Sequence, residues 1–167
     1  MKNSSLTKAI SYKDFKKEVL DDYKTILISR EASLLGRKEV LSGKAKFGIF
    51  GDGKELPQVA MAKVFEKGDF RSGYYRDQTF MFSIDKLTVQ QFFAGLYANT
   101  NFDEEPMSGG RQKGSHFSSV FVDKNGKFKD LPNQYNISSD ISPTSGQMPR
   151  LLGCLLYTSD AADDRDS

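Results

Sequence analysis

Apolar residues return at three- and four-residue intervals through Phe15, Val19, Tyr23, Ile26 and Leu27, and continue to Ala32, Leu34 and Leu35. That is the period of one helix face, and it predicts a helix or a broken helical pair over 11–43. Ser11 followed three positions later by Asp14 has the spacing of a capping box, and Gly36 and Gly43 are the expected breaks. Gly51-Asp52-Gly53 reads as a turn leading into a second helix over 55–65. Pro57 falls in its first turn, where a missing N–H costs little. Gly68-Asp69 should end this helix, and 70–76 is short, aromatic and expected to be extended. Thr88 with Gln91 signals another helix start, whose apolar face is Phe92, Phe93, Leu96 and Tyr97.

From Asn99 to Ser119 periodicity fades into Asn, Asp, Pro, Gly and mixed charge, a loop long enough to suggest function or mobility. Val120 to Phe128 suggests a hairpin turning at Asp123-Lys124-Asn125-Gly126, because Asn-Gly supplies the positive φ angles of tight turns. Another loop follows at 141–146, and Gln147 opens a last helix. Helix, short strand and loop alternate without internal repeat, which favours an α/β class.

Composition narrows this. The 167 residues are 28% charged and 38% hydrophobic, as expected of one soluble domain or a piece of a larger one, and unlike fibrous or disordered chains. No run approaches the roughly 18 apolar residues of a membrane-spanning helix, and no signal peptide is evident at the start. A formal charge of +2 does not point to nucleic acid, and the single cysteine, Cys154, fits a reducing cytoplasm. Composition changes abruptly at that cysteine. Cys-Leu-Leu-Tyr-Thr-Ser-Asp-Ala-Ala-Asp resembles the translated read-through of a sequencing-library adapter, so 154–167 is expected to be a foreign or disordered tail packed against nothing. Setting it aside leaves 23 basic and 18 acidic residues, a formal +5, on a chain expected to be truncated near Gly153.

Several motifs invite chemistry. Gly51-Asp52-Gly53 looks like the start of a thiamine diphosphate motif, but no Asn pair follows about 25–30 residues later to complete an oxygen site for magnesium. It therefore reads as a turn. His116 is the only histidine, and a lone histidine is more often structural than catalytic. Its position after Gly109-Gly110-Arg111-Gln112 raises its interest, since glycines let backbone approach a ligand and Arg111 suits a phosphate or carboxylate. Tyr75-Arg76 can be read the same way, or as a buried ring beside a surface charge. There is no Cys/His cluster for zinc, no nucleophile elbow and no phosphate-loop lysine motif. The residues alone describe an anion-binding α/β fragment.

Taken in order, four segments resemble the α chain of the thiamine diphosphate-dependent 2-oxo acid dehydrogenase first component. They are Gly53-Lys54-Glu55-Leu56-Pro57-Gln58-Val59-Ala60, Gly73-Tyr74-Tyr75-Arg76-Asp77, Gly109-Gly110-Arg111-Gln112 with His116, and Ser142-Pro143-Thr144-Ser145-Gly146-Gln147-Met148-Pro149. The resemblance runs from about Tyr12 to Gly153. The Gly-Arg-Gln…His stretch is more similar to the branched-chain branch than to the pyruvate branch. The Ser-Pro-Thr-Ser-Gly-Gln form is similar to bacterial proteins with fused α and β chains.

The resemblance implies a thiamine diphosphate-binding fold with a parallel sheet, of which 12–153 would be the N-terminal part behind an arm at 1–11. It implies oxidative decarboxylation of a small 2-oxo acid and acyl transfer to a lipoyl-bearing acyltransferase, in an oligomer with a β chain or fused β part. Tyr75 and Arg76 would meet the diphosphate, and Ser142, Pro143 and Thr144 the aminopyrimidine half, with His116 a candidate catalytic residue and Arg111 a candidate substrate or anion contact. Gln147 would match a potassium ligand, although Ile141 and Gly146 stand where branched-chain enzymes supply hydroxyl ligands, which puts the ion in doubt. Ile49 stands where pyruvate-type chains carry His. The magnesium motif would follow Gly153. Alternative readings are an acetoin dehydrogenase or transketolase-like relative, or a non-catalytic anion-binding or interaction domain.

Overall fold

The computed structural model describes residues 10–153. Helix α1 (Tyr12–Leu41) is one unbroken rod of 30 residues. Ser11 caps it by accepting the Asp14 N–H at 3.2 Å, while its hydroxyl donates to the Asp14 carboxylate. Gly36 does not break it. The edge of Phe50 packs so closely that a Cβ at 36 would stand 2.5 Å from the ring, so this glycine serves approach rather than termination. The end falls at Ser42-Gly43, where Gly43 takes φ +78 and closes the last turn.

Of the apolar positions expected on one face of α1, only Ala32 is buried and Ile26 half-buried. Phe15, Val19, Tyr23, Leu27, Leu34 and Leu35 are exposed, and the residues turned inward are Ser29, Ala32, Ser33 and Gly36. Small residues let α1 lie close against α3 (Gln78–Ser83). Polar atoms then replace aliphatic bulk: Ser29 meets Thr79 at 2.7 Å, and Gln78 donates to Ser33 Oγ at 2.6 Å. Sequence periodicity did not anticipate α3, whose six residues are too few to show a period.

Helix α2 (Glu55–Ala62) begins where expected and ends a few residues early. It packs on both α1 and α3. Helix α4 (Val89–Leu96) starts with the full Thr88–Gln91 capping box and buries Phe92, Ala94 and Leu96, while Tyr97 stays exposed. The extended segment at 70–76 shrinks to β1 (Phe70–Arg71), which pairs in parallel with β2 (Asn136–Ile137), Phe70 opposite Asn136 and Arg71 opposite Ile137. The connection between them carries α3, α4, the long loop at 99–119 and the hairpin. The hairpin closes through one bridge, Val122 to Phe128. Only Gly126 takes a positive φ there, so Asn125 does not play the left-handed part expected of it, and the Asp123 carboxylate holds the turn by accepting the N–H groups of Asn125 and Lys127. Residues 147–153 are helical.

The chain is thus helix-rich with a short two-stranded parallel sheet, which suits an α/β fragment. Its apolar core, Ala32, Phe80, Met81, Ile84, Leu87, Phe92, Phe117 and Ile137, lies between the helices and the sheet. Residues 1–9 and the tail from Cys154 lie outside the described residues, so the expectation for that tail is not addressed. Among the described residues no helix is long and apolar enough to cross a membrane.

Candidate functional site

Directly after β1 the chain turns through Ser72-Gly73 and presents Tyr74, Tyr75 and Arg76 before α3 begins. The backbone of Arg76 is fixed from two sides. Gln58 of α2 donates to its carbonyl at 3.1 Å and with its other amide atom accepts the Phe80 N–H at 3.0 Å. Gly51 lies against the same carbonyl so tightly that a Cβ there would overlap it. The Gly-Asp-Gly turn therefore has a packing role: Gly51 makes room for Arg76, and Asp52 pairs with Arg37 at 2.6 Å.

The guanidinium of Arg76 lies 5.8 Å from the Tyr75 ring centre, and its Nε is buried with no hydrogen-bond partner among the described residues. A buried charged donor without an acceptor is costly, and a bound anion removes that cost. Tyr74 donates to the Tyr75 hydroxyl, and Thr144 Oγ1 stands 3.3 Å from Tyr74. One proton orientation runs Thr144 to Tyr74 to Tyr75 and leaves the last phenolic hydrogen free for a ligand. The titration tendencies correspond to the reverse orientation, in which Tyr75 donates to Tyr74. Tyr74 is drawn below its ordinary value, first by the Thr144 hydrogen bond, whereas Tyr75 is pushed up, first by its bond to Tyr74 and then by burial. Tyr75 therefore stays a phenol, whose hydrogen points at Tyr74 in this orientation and at a ligand in the other.

His116 stacks on Tyr75 with ring centres 5.7 Å apart, and its Nε2 lies 2.9 Å from Ser142 Oγ. Its Nδ1 is 3.4 Å from the Gly114 carbonyl, so the network favours a proton on Nδ1 and an Nε2 that accepts from Ser142. This pair can pass a proton between Ser142 and the imidazole. The structure thus brings Tyr75, Arg76, His116, Ser142 and Thr144 into one cluster. Arg111 makes other contacts: its guanidinium covers the Phe102 ring at 5.2 Å and donates to the Ser108 carbonyl.

Pro143 turns the following loop, its carbonyl accepting the Gly146 N–H at 3.1 Å. Gln147 opens the final helical stretch, and its Oε1 is the other buried side-chain atom without a partner among the described residues. Such an acceptor suits a cation or a donor. Ile141 Cδ1 fills the space over Gly146, 2.6 Å from where a Cβ would stand, so the two residues are matched to each other by packing. Among the described residues no group of three or more His, Cys, Asp or Glu could hold a metal ion.

An open cleft of about 490 Å³ runs beside Arg76, lined also by Arg37, Ile49, Phe50, Asp52 and Lys54. Sequence reasoning missed Gln58, Arg71, Asp77 and Asp140, which hold the site loops in place. Only Gln58 and Asp77 left a trace, each as part of a motif segment.

An arginine donor unpaired among the described residues, beside a phenol and a histidine–serine pair where loops meet at a parallel strand, is an arrangement suited to an anion in an α/β fragment. Comparison with known proteins makes this specific. A family model described as the dehydrogenase E1 component matches residues 23–142, and the chain belongs to that family. It is 30% identical over 144 residues to the 2-oxoisovalerate dehydrogenase subunit alpha of Bacillus subtilis (strain 168), covering 83% of this chain. The chain spans only 37% of that relative's length.

Proposed function

We propose that this chain supplies the diphosphate-gripping wall of a thiamine diphosphate-dependent 2-oxo acid dehydrogenase first component, of branched-chain type. The observation that carries the reading is the buried Nε of Arg76, unpartnered among the described residues and beside the Tyr75 ring. Family membership and a relative named for 2-oxoisovalerate support it.

Bound thiamine diphosphate supplies the nucleophilic carbon and the electron sink through which a 2-oxo acid loses CO2. The residues of this chain orient and neutralise. Arg76 and Tyr75 donate to diphosphate oxygens, Ser142, Pro143 and Thr144 form the edge facing the aminopyrimidine half, and His116 holds or releases a proton at Nε2 through Ser142. The cleft beside Ile49 and Phe50 approaches Arg76 and offers an apolar wall to a substrate side chain. Magnesium ligands, the β part and the lipoyl-bearing acceptor lie with the rest of the enzyme. Gln147 offers a buried side-chain oxygen for potassium, and the Ile141–Gly146 contact holds this loop by packing where the resemblance implies hydroxyl ligands.

The test is Arg76→Ala in the complete protein with its β part. Losing a charge-assisted hydrogen bond costs about 1.5–3 kcal/mol, so thiamine diphosphate affinity should fall about ten- to a hundredfold. Arg76→Lys should recover only part of it, because an ammonium lacks the planar fork. Cofactor titration reads the effect, with thermal unfolding as the stability control. Unchanged affinity in a folded Arg76→Ala protein would return Arg76 to a surface-charge role.

A further inference from the structure

One buried ion cluster touches every loop of the candidate site. Arg71, on β1, has a side chain only 5% exposed. Its Nη1 lies 3.2 Å from Asp140 Oδ1, and its Nη2 lies 3.3 Å from Asp140 Oδ2, 2.8 Å from Asp77 Oδ2 and 3.1 Å from the Tyr74 carbonyl. The rings of Phe80 and Phe117 flank it, each 5.8 Å away. Gly73 is the residue the guanidinium passes, and any Cβ there would overlap it.

The carboxylates carry the connection onward. Asp77, adjacent to Arg76, accepts the Tyr74 N–H at 2.8 Å. Asp140, two residues before Ser142, accepts the N–H of Phe117, the neighbour of His116, at 3.0 Å. The backbones of 117 and 140 are joined as well, Asp140 N–H to the Phe117 carbonyl at 3.0 Å. Three segments far apart in sequence therefore meet at one guanidinium, each within two residues of a candidate ligand contact. A second consequence is electrostatic. Asp77 would otherwise place an unpaired negative charge next to the residue proposed to hold an anion, and Arg71, shared with Asp140, offsets part of it.

We propose that Arg71 is the positioning residue of the diphosphate site, registering the Tyr74–Arg76, His116 and Ser142–Thr144 loops against one another through Asp77 and Asp140. The proposal rests on the reading of Tyr75 and Arg76 as the diphosphate grip. Only a planar fork meets these partners together; an ammonium keeps the charge and loses the registration.

The experiment compares Arg71→Lys, Asp140→Asn and Arg76→Ala in the complete protein, by amide hydrogen exchange and by calorimetric titration with thiamine diphosphate and magnesium. Asp140→Asn keeps the shape, so it serves if Arg71→Lys does not fold. Either cluster variant should quicken exchange about tenfold or more in peptides covering Tyr74 and Phe117, leave the α3 amides near Phe80 and Ile84 unchanged, and weaken thiamine diphosphate binding about tenfold. Arg76→Ala should weaken binding without quickening exchange at Tyr74 or Phe117. Unchanged exchange at those peptides would overturn the proposal, and so would exchange quickened uniformly through α3, which marks a merely structural role. Quickened local exchange with unchanged affinity overturns it too if Arg76→Ala still weakens binding. If Arg76→Ala leaves binding intact, the functional reading fails first and the positioning role falls with it.

Discussion

Glu55 is a carboxylate only 4% exposed that meets a guanidinium reaching over from another helix. Arg30 Nε and Nη2 donate to its two oxygens at 2.5 and 2.9 Å, and the Gly53 N–H adds a third donor. The Arg30 hydrogen bond above all holds the Glu55 carboxyl down at about 2, against an ordinary 4.5. A carboxyl lowered by folding contributes stability above its unfolded value and loses it as pH falls through its folded one. Glu55→Gln should therefore be less stable than wild type near neutral pH, by about 1–3 kcal/mol. Urea titrations should show the gap closing as pH falls from 4.5 toward 2, and a gap independent of pH would rule this out. Legibility at this scale followed chemistry with a motif. Tyr75, Arg76, His116 and Ser142 could be singled out because neighbours in sequence flagged them. Arg71 and Asp140 could not, because their meaning is a contact across 69 positions, and neither sits in a pattern that announces a buried charge.

Helix α1 shows why period alone misassigns a face. Leu20, Leu27, Leu34 and Leu41 recur every seventh residue and are all exposed, while Ser29, Ala32, Ser33 and Gly36 go inside. Hydropathy ranks the leucine face as core, but the neighbouring helix is met by small residues that allow close approach and by Gln78 hydrogen bonds. The caps were legible, since Ser11, Thr88 and Gly43 act within a few residues of themselves. Six-residue α3 and β2 were not, and β1 showed only as part of a longer extended segment, because tertiary pairing rather than local pattern creates them. An apolar stripe of this length in water favours association. The chain made alone should self-associate, and Leu27→Lys with Leu34→Lys should shift sedimentation toward monomer while circular dichroism keeps its helical signal. Unchanged association in the double variant would show that another surface drives it.

At the scale of the molecule, the proposed function makes the site one wall of something larger. The cluster around Arg76 offers donors for an anion, yet the described residues contain no group of three or more His, Cys, Asp or Glu able to hold a metal ion, and the chain spans 37% of its relative. Diphosphate is bound most tightly when a divalent cation shares its charge with the protein, since a lone guanidinium leaves much of that charge unneutralised. Positioning matters as much, because decarboxylation needs the substrate held against the cofactor in a geometry that excludes water. With a single wall, the cleft beside Arg76 stays open to solvent and orients nothing on its far side. The 167-residue chain by itself should therefore release no CO2 from any 2-oxo acid in the presence of thiamine diphosphate and magnesium, beyond a blank containing cofactor alone. Adding the remainder of the α chain and its β part should restore turnover, and Arg76→Ala in that assembly should raise the cofactor concentration needed for half-maximal rate. Turnover by the lone chain above the blank would mean that it holds a complete metal and acid–base apparatus, and would undo the assignment of this chain as one wall.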